Sequence, residues 1–187
     1  ATIYYIEMAP KSQRHPIFAQ SPTPGDVDIM IAAELAEAGR AVLRGFVTPD
    51  RTTLIASTHR ILAVSEKMVP GDGRSDAKIL EEDIQKLALR SICFDMDSIA
   101  SKARSVISST LFGALAQSKA LPFEATLFEE VIRASGRGVD RSITAFRAAL
   151  DSQKTQSVSS EAAHQASRIS IAGPAHLITA WEKLIER

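Results

Sequence analysis

Residues 27–60, VDIMIAAELAEAGRAVLRGFVTPDRTTLIASTHR, decide the fold. Residues 27–31 (VDIMI) are apolar apart from Asp28, the pattern of a strand covered on both faces. Residues 34–44 read as a helix with Leu35, Ala38 and Val42 on one face. Glu34 sits early in it and Arg40 and Arg44 late, in line with the helix dipole. Thr48-Pro49-Asp50 turns the chain, and residues 52–57 form the next strand. Strand, helix, turn and strand make one crossover of a parallel sheet. The second strand ends on the polar run Ser57-Thr58-His59-Arg60.

Working outward, residues 2–7 (TIYYIE) are β-rich and predict a strand. Tyr4 and Tyr5 fall on its opposite faces, one for the core and one for a cleft. The chain opens at Ala1 directly on this apolar run, which predicts further polypeptide upstream. Residues 10–25 hold Pro10, Pro16, Pro22 and Pro24 and predict a long irregular loop. Downstream, residues 61–68 alternate as a further strand, Pro70-Gly71-Asp72-Gly73 turns, and Ser75 caps a helix reaching about Leu89. Residues 91–95 are another short buried strand. The remainder is mainly helical: 98–118, with a break near Arg104, then 124–134 closed by Gly136, then 139–150 with Val139, Ile143, Phe146 and Leu150 at helical spacing. Residues 151–172 change to Ser, Gln, Thr and Ala and read as a linker. Gly173-Pro174 opens a last amphipathic helix, 173–187, carrying Leu177, Ile178, Trp181, Leu184 and Ile185. It docks on its own domain or on a partner chain. The expected fold is therefore α/β: a mainly parallel, Rossmann-like sheet with flanking helices and a helical C-terminal half, over residues 1–150.

Lys and Arg total 22 and so do Asp and Glu. With no net charge, no overall field gathers nucleic acid or an anionic membrane. No apolar run has the length of a membrane span and no signal peptide is visible, so a cytoplasmic protein is expected. Cys93 is the single cysteine, inside an apolar run. It cannot build an iron–sulfur cluster or a disulfide framework alone, and it reads as a buried core thiol.

In open parallel sheets ligands gather outside the carboxyl ends of the strands. Here those ends offer Glu34 after the first strand, Ser57-Thr58-His59-Arg60 after the second, and Asp95 and Asp97 after the third. Imidazole, guanidinium and hydroxyl groups suit an anion such as a carboxylate or phosphate. The plainer reading makes Asp97 a helix cap and Glu34 with Arg60 a solvated pair. The remaining histidines, His15, His164 and His176, have no metal-ligand spacing. Gly71-Asp72-Gly73 and Gly136-Arg137-Gly138 read as connectors. A dinucleotide turn, a G-x-S-x-G elbow and a Walker motif are all absent from the sequence.

The segments ATIYYIE, GDVDIMIAAELAEAGRAV, FVTPD and TTLIASTHR, followed by SSTLFGAL (108–115), Ala120-Leu121-Pro122, 128–132 and 138–146, together resemble one family. It is the gamma-type domain of the 2-oxoacid:acceptor oxidoreductases, closest to the beta subunit of indolepyruvate ferredoxin oxidoreductase. The resemblance covers about residues 1–150 and fades beyond Gln153. It implies a Rossmann-like sheet with a helical end, as in the pyruvate-ferredoxin oxidoreductase gamma domain. The family's Gly-rich opening strand and first crossover have no counterpart in this sequence. Many relatives carry Asn in the helix where this chain has Ser108-Ser109-Thr110. The implied reaction is oxidative decarboxylation of an aryl pyruvate to an acyl-coenzyme A, with electrons passed to ferredoxin. Thiamine diphosphate and the iron–sulfur clusters are implied on a partner alpha subunit, with coenzyme A as co-substrate. This chain would bind no cofactor or metal itself. It would supply subunit contacts and part of a cleft, through Thr58, His59, Arg60 and Glu34, for anion binding or subunit contact rather than bond-making. Alone it would be inactive and open to homodimerisation. A purely structural module, or a small-molecule-binding Rossmann-like protein, are the alternatives.

Overall fold

The computed structural model describes residues 2–11, 16–59, 84, 86–152 and 155–157 of the chain. Its elements run β1 (Ile29–Ala32), α1 (Leu35–Leu43), β2 (Thr53–Ser57), β3 (Arg90–Phe94), α2 (Met96–Lys102), α3 (Ile107–Ser118), α4 (Ala125–Ala134), α5 (Val139–Leu150) and β4 (Thr155–Ser157). The strands lie in the order β1-β2-β3-β4. The first three are parallel, with Ile31 opposite Ile55 and Ile55 opposite Ile92. The fourth is antiparallel and sets Thr155 opposite Ile92. The chain is thus an α/β protein built on a small parallel sheet.

Alternation along β2 explains why its whole length is apolar or small. Leu54 and Ala56 face a cluster with Leu35, Ala38 and Ala41 of α1, Val47, Ile84, Ala88 and Cys93. Ile55 faces the other way, against Ile92, Phe94, Met96, Ala114 and Ala149. A strand covered on both faces has no position for a solvent-facing polar residue, and all of β2 is buried. Burial of Leu54 and Ile55, each with no exposure, contributes about 1.5–3 kcal/mol apiece. Cys93 is a buried core thiol. A third cluster joins α3, α4 and α5 through Ala116, Phe128, Ile132, Ile143 and Phe146.

The turn before β2 is held by one hydroxyl. Thr52, fully buried, accepts from the Thr48 amide at 3.0 Å and shares its proton between the carbonyls of Val27 (2.9 Å) and Phe46 (3.2 Å). Gly45 has φ +73°, and a Cβ there would meet Cβ of Pro24 at 3.1 Å. The pair is locked by the Gly25 amide donating to the Gly45 carbonyl at 2.8 Å.

The expected break near Arg104 is present. α2 stops, Arg104 takes a left-handed φ of 53°, and α3 begins at Ile107. Gly136, at φ +71°, closes the turn after α4. Two expectations change. Residues 2–7 are not a strand: Ile3, Tyr4 and Ile6 are 51%, 87% and 80% exposed. Strand propensity measures fit to a half-buried pleated surface, and no neighbouring strand among the described residues provides one. The segment is held instead by the Glu7 carboxylate, which accepts from the Tyr5 hydroxyl and, at 2.8 Å, from the Ala19 amide. Neither tyrosine enters the core: Tyr4 is exposed and Tyr5 half-buried. The bond to Glu7, with desolvation and the nearby carboxylates of Glu7, Asp26 and Asp28, pushes the Tyr5 phenol up to about 12. The second change lies in the stretch read as a linker, where Thr155–Ser157 forms β4 and closes the open side of β3. Its Thr-Gln-Ser composition lacks the apolar alternation by which a strand is recognised. The expected strand at 61–68, the turn at 70–73, most of the helix at 75–89 and the helix at 173–187 lie outside the described residues.

On the helical side Glu129 holds α4 to α5. Its two carboxylate oxygens take Nε and Nη2 of Arg147 at 2.6 and 2.7 Å, and Arg133 adds a contact at 3.2 Å. The Arg147 hydrogen bond, then its charge and that of Arg133, outweigh desolvation and hold the Glu129 carboxyl below the ordinary carboxylate range. A depressed carboxyl contributes stability that is present above its unfolded pKa and lost as pH falls through the folded one. Glu129→Gln is therefore expected to flatten the acid limb of the stability–pH curve while leaving the neutral-pH helix content unchanged. Denaturant midpoints measured down the acid range check this. An acid limb identical to that of the unmodified chain would contradict it.

Candidate functional site at the strand carboxyl ends

Three parallel strands finish on one edge of the sheet, and the register makes their ends neighbours: Ala32 lies opposite Ala56, and Ser57 opposite Phe94. The Thr58 amide donates to the Phe94 carbonyl at 3.0 Å, carrying the ladder one residue beyond β2. Each strand then gives way to polar residues. β1 leads through Ala33 and Glu34 into α1, β2 into Thr58 and His59, and β3 through Asp95 into α2.

His59 ties the three junctions together. Its carbonyl accepts the Leu35 amide at 3.2 Å and so takes up one of the unpaired N–H groups that open α1. Its imidazole Nδ1 lies 2.7 Å from Ser57 Oγ. That oxygen in turn accepts the Met96 amide at 3.1 Å, the first residue of α2. Ser57 is fully buried, whereas Thr58 and His59 are half-buried. The Thr110 hydroxyl shares its proton between the Ile107 carbonyl of its own helix at 2.7 Å and, more distantly, the Met96 carbonyl at 3.2 Å, which brings α3 to the same junction.

Of the residues expected at this site, Glu34, Thr58 and His59 are brought together. Glu34 occupies the position before α1 in an extended conformation (φ −150°, ψ 164°), and its side chain does not cap that helix. Arg60, and with it the expected Glu34–Arg60 pair, lies outside the described residues. The cap of α2 is Asp95, not Asp97: Asp95 Oδ1 accepts the Ser98 amide at 2.9 Å, and Asp97 stands in the first turn. The reason is position. Asp95 is the last non-helical residue, and a cap accepts from an amide two or three residues on, here that of Ser98.

The sequence places Ser57 in the polar run among the hydroxyls that suit an anion, whereas the structure buries it against His59 and Met96. The signal was available, because residues two apart on an extended chain share a face. Ser57, the last residue of β2, therefore stands on the same side as His59. The edge so built offers an oriented imidazole, a hydroxyl on Thr58 and a carboxylate on Glu34: groups for hydrogen bonding and proton placement. Ser57 has no nucleophile's access, since its oxygen is wholly buried.

Comparison with family models, with curated proteins and with solved structures finds no match. Among the described residues no three of His, Cys, Asp and Glu are grouped as metal ligands, and no helix is long and apolar enough to cross a membrane.

Proposed function

We propose that this chain is a subunit of a ferredoxin-dependent 2-oxoacid oxidoreductase acting on an aryl pyruvate such as indolepyruvate. Its sheet is the Rossmann-like gamma-type domain, and its strand-end edge completes an active site carried by another chain. The observation that carries the reading is the junction at His59. The side chain is held by Ser57 and the main chain by α1, at the edge where parallel sheets place ligands. The resemblance of residues 1–150 to that family supplies the reaction. The partner is the alpha subunit, which would hold thiamine diphosphate and the iron–sulfur clusters, with ferredoxin as acceptor and coenzyme A as co-substrate. Thr58, His59, Arg60 and Glu34 would bind an anion or the partner's surface, and the bond-making steps would belong to the partner. Cys93 is enclosed in the core and takes no part.

Co-purification with a thiamine-dependent partner, followed by turnover of an aryl pyruvate, tests the assignment. Omission of this chain is expected to abolish turnover; turnover unchanged without it would rule the assignment out. Within the assembled complex, His59→Ala with Arg60→Ala is expected to lower turnover roughly tenfold to hundredfold, the range for losing hydrogen bonds to a charged group. Full activity with intact assembly would instead make the chain a structural module.

A further inference from the structure

The bond between Ser57 and His59 has a direction that the surrounding hydrogen bonds decide. A serine hydroxyl has one proton to give and two lone pairs to accept with. The Met96 main-chain N–H can only donate, so at 3.1 Å it takes one lone pair of Ser57 Oγ. The hydroxyl proton, with no exposure to water, then needs an acceptor. Among the described residues His59 Nδ1, at 2.7 Å, is the acceptor within reach. Were Nδ1 protonated, it would donate to Oγ and leave the buried hydroxyl proton stranded. The neutral ring must therefore carry its proton on Nε2.

We propose that Ser57 is a positioning residue that fixes His59 as the Nε2–H tautomer, with Nδ1 tied inward and Nε2–H held out as a hydrogen-bond donor to an acceptor oxygen at the strand-end edge. The relevance of that donor to turnover rests on the function proposed above; the tautomer does not. The relay runs from the Met96 amide through the Ser57 hydroxyl to the imidazole. It links the start of α2 to ring orientation, so a shift of α2 would be felt at His59. A neutral donor of fixed geometry recognises an oxygen without bringing a second charge beside Glu34. In this way the bond made by a histidine's inner nitrogen sets the proton on its outer one.

The test is the pair of ring-nitrogen resonances of His59 in the full chain, assigned by two-bond proton–nitrogen correlation in mildly alkaline buffer. His59 is expected as Nε2–H by more than about tenfold over Nδ1–H, and Ser57→Ala is expected to bring the ratio to within about fivefold. Ser57→Thr, which keeps the hydroxyl, is expected to restore the single tautomer, and it is the deciding variant if the alanine form does not fold. A predominantly Nδ1–H ring in the unmodified chain overturns the proposal. So does a ratio unmoved by Ser57→Ala, or a mixed ring in a folded Ser57→Thr chain. Because this readout needs no partner subunit, it stands or falls separately from the turnover assay.

Discussion

Phe146→Ala is expected to lower the stability of the chain by about 3–5 kcal/mol, the range for deleting a buried aromatic ring. Phe146 lies on α5 and is completely buried. Its ring stacks near Phe128 of α4 at a centroid distance of 6.3 Å and lies 6.0 Å from Phe112 of α3. Phe112 and Phe128 are themselves 4.8 Å apart. The Phe146 ring therefore belongs to two of the three helix contacts, α3–α5 and α4–α5, and its removal leaves a void against both partner rings. Such aromatic pairs add about 0.5–1.5 kcal/mol beyond the area they bury. Since a domain of this kind holds only about 5–15 kcal/mol in total, the substitution removes a large share of it. Denaturant titration of the full chain measures the loss. A change below about 1 kcal/mol would mean that the aromatic cluster does not organise the helical half. The sheet edge at His59 adjoins Phe94 and Met96, which belong to a different core cluster from Phe146, so His59 resonances in any folded fraction are expected to keep their positions.

The helix bearing Phe146 was legible in the sequence because Val139, Ile143, Phe146 and Leu150 recur at helical spacing, and the structure places α5 on those residues. The crossover from β1 to β2 was legible for the same reason: period and turn chemistry are local signals. What was not legible depends on neighbours. Residues 2–7 have the composition of a strand, but composition says nothing of whether a partner strand is present to receive it. Thr155–Ser157 has the composition of a linker, yet the free side of β3 gives it hydrogen bonds that its own residues do not advertise. At the candidate site, the polar residue types mark strand ends that the register sets side by side. The choice of Asp95 over Asp97 as cap, and the involvement of Ser57 with His59, turned on where each strand stops. A difference of one residue at a strand's end changes which side chain faces which neighbour.

Gly113 concerns the same dependence on neighbours, at the crossing of α3 and α5. A Cβ built on Gly113 would lie 2.3 Å from the carbonyl oxygen of Phe146, 3.1 Å from its carbonyl carbon and 2.9 Å from Cβ of Ala149. Real Cβ atoms do not come within 3.0 Å of such groups. The two helices approach this closely only because both faces are small there: Gly113 and Ala114 against Ala149, all buried. In an isolated helix Ala would be favoured over Gly by about 1 kcal/mol. In the folded chain that gain is outweighed, since α5 must move bodily away from α3 and loosen the packing of Phe146 and Ala149. Gly113→Ala is therefore expected to destabilise by about 1–3 kcal/mol, with Gly113→Val worse. Relief of the Ala149 contact alone should not restore stability. In Gly113→Ala combined with Ala149→Gly the new methyl group still meets the Phe146 carbonyl, which is main chain and cannot be trimmed by substitution. The double variant is expected to be no more stable than the single one, and denaturant midpoints of the three chains compare them directly. Rescue by Ala149→Gly would show that the Ala149 side chain, and not the backbone of α5, sets the helix separation. If Gly113→Ala were instead stabilising, the intrinsic helix preference would have won, and α3 and α5 could not be packed as closely as the Phe146 carbonyl contact requires.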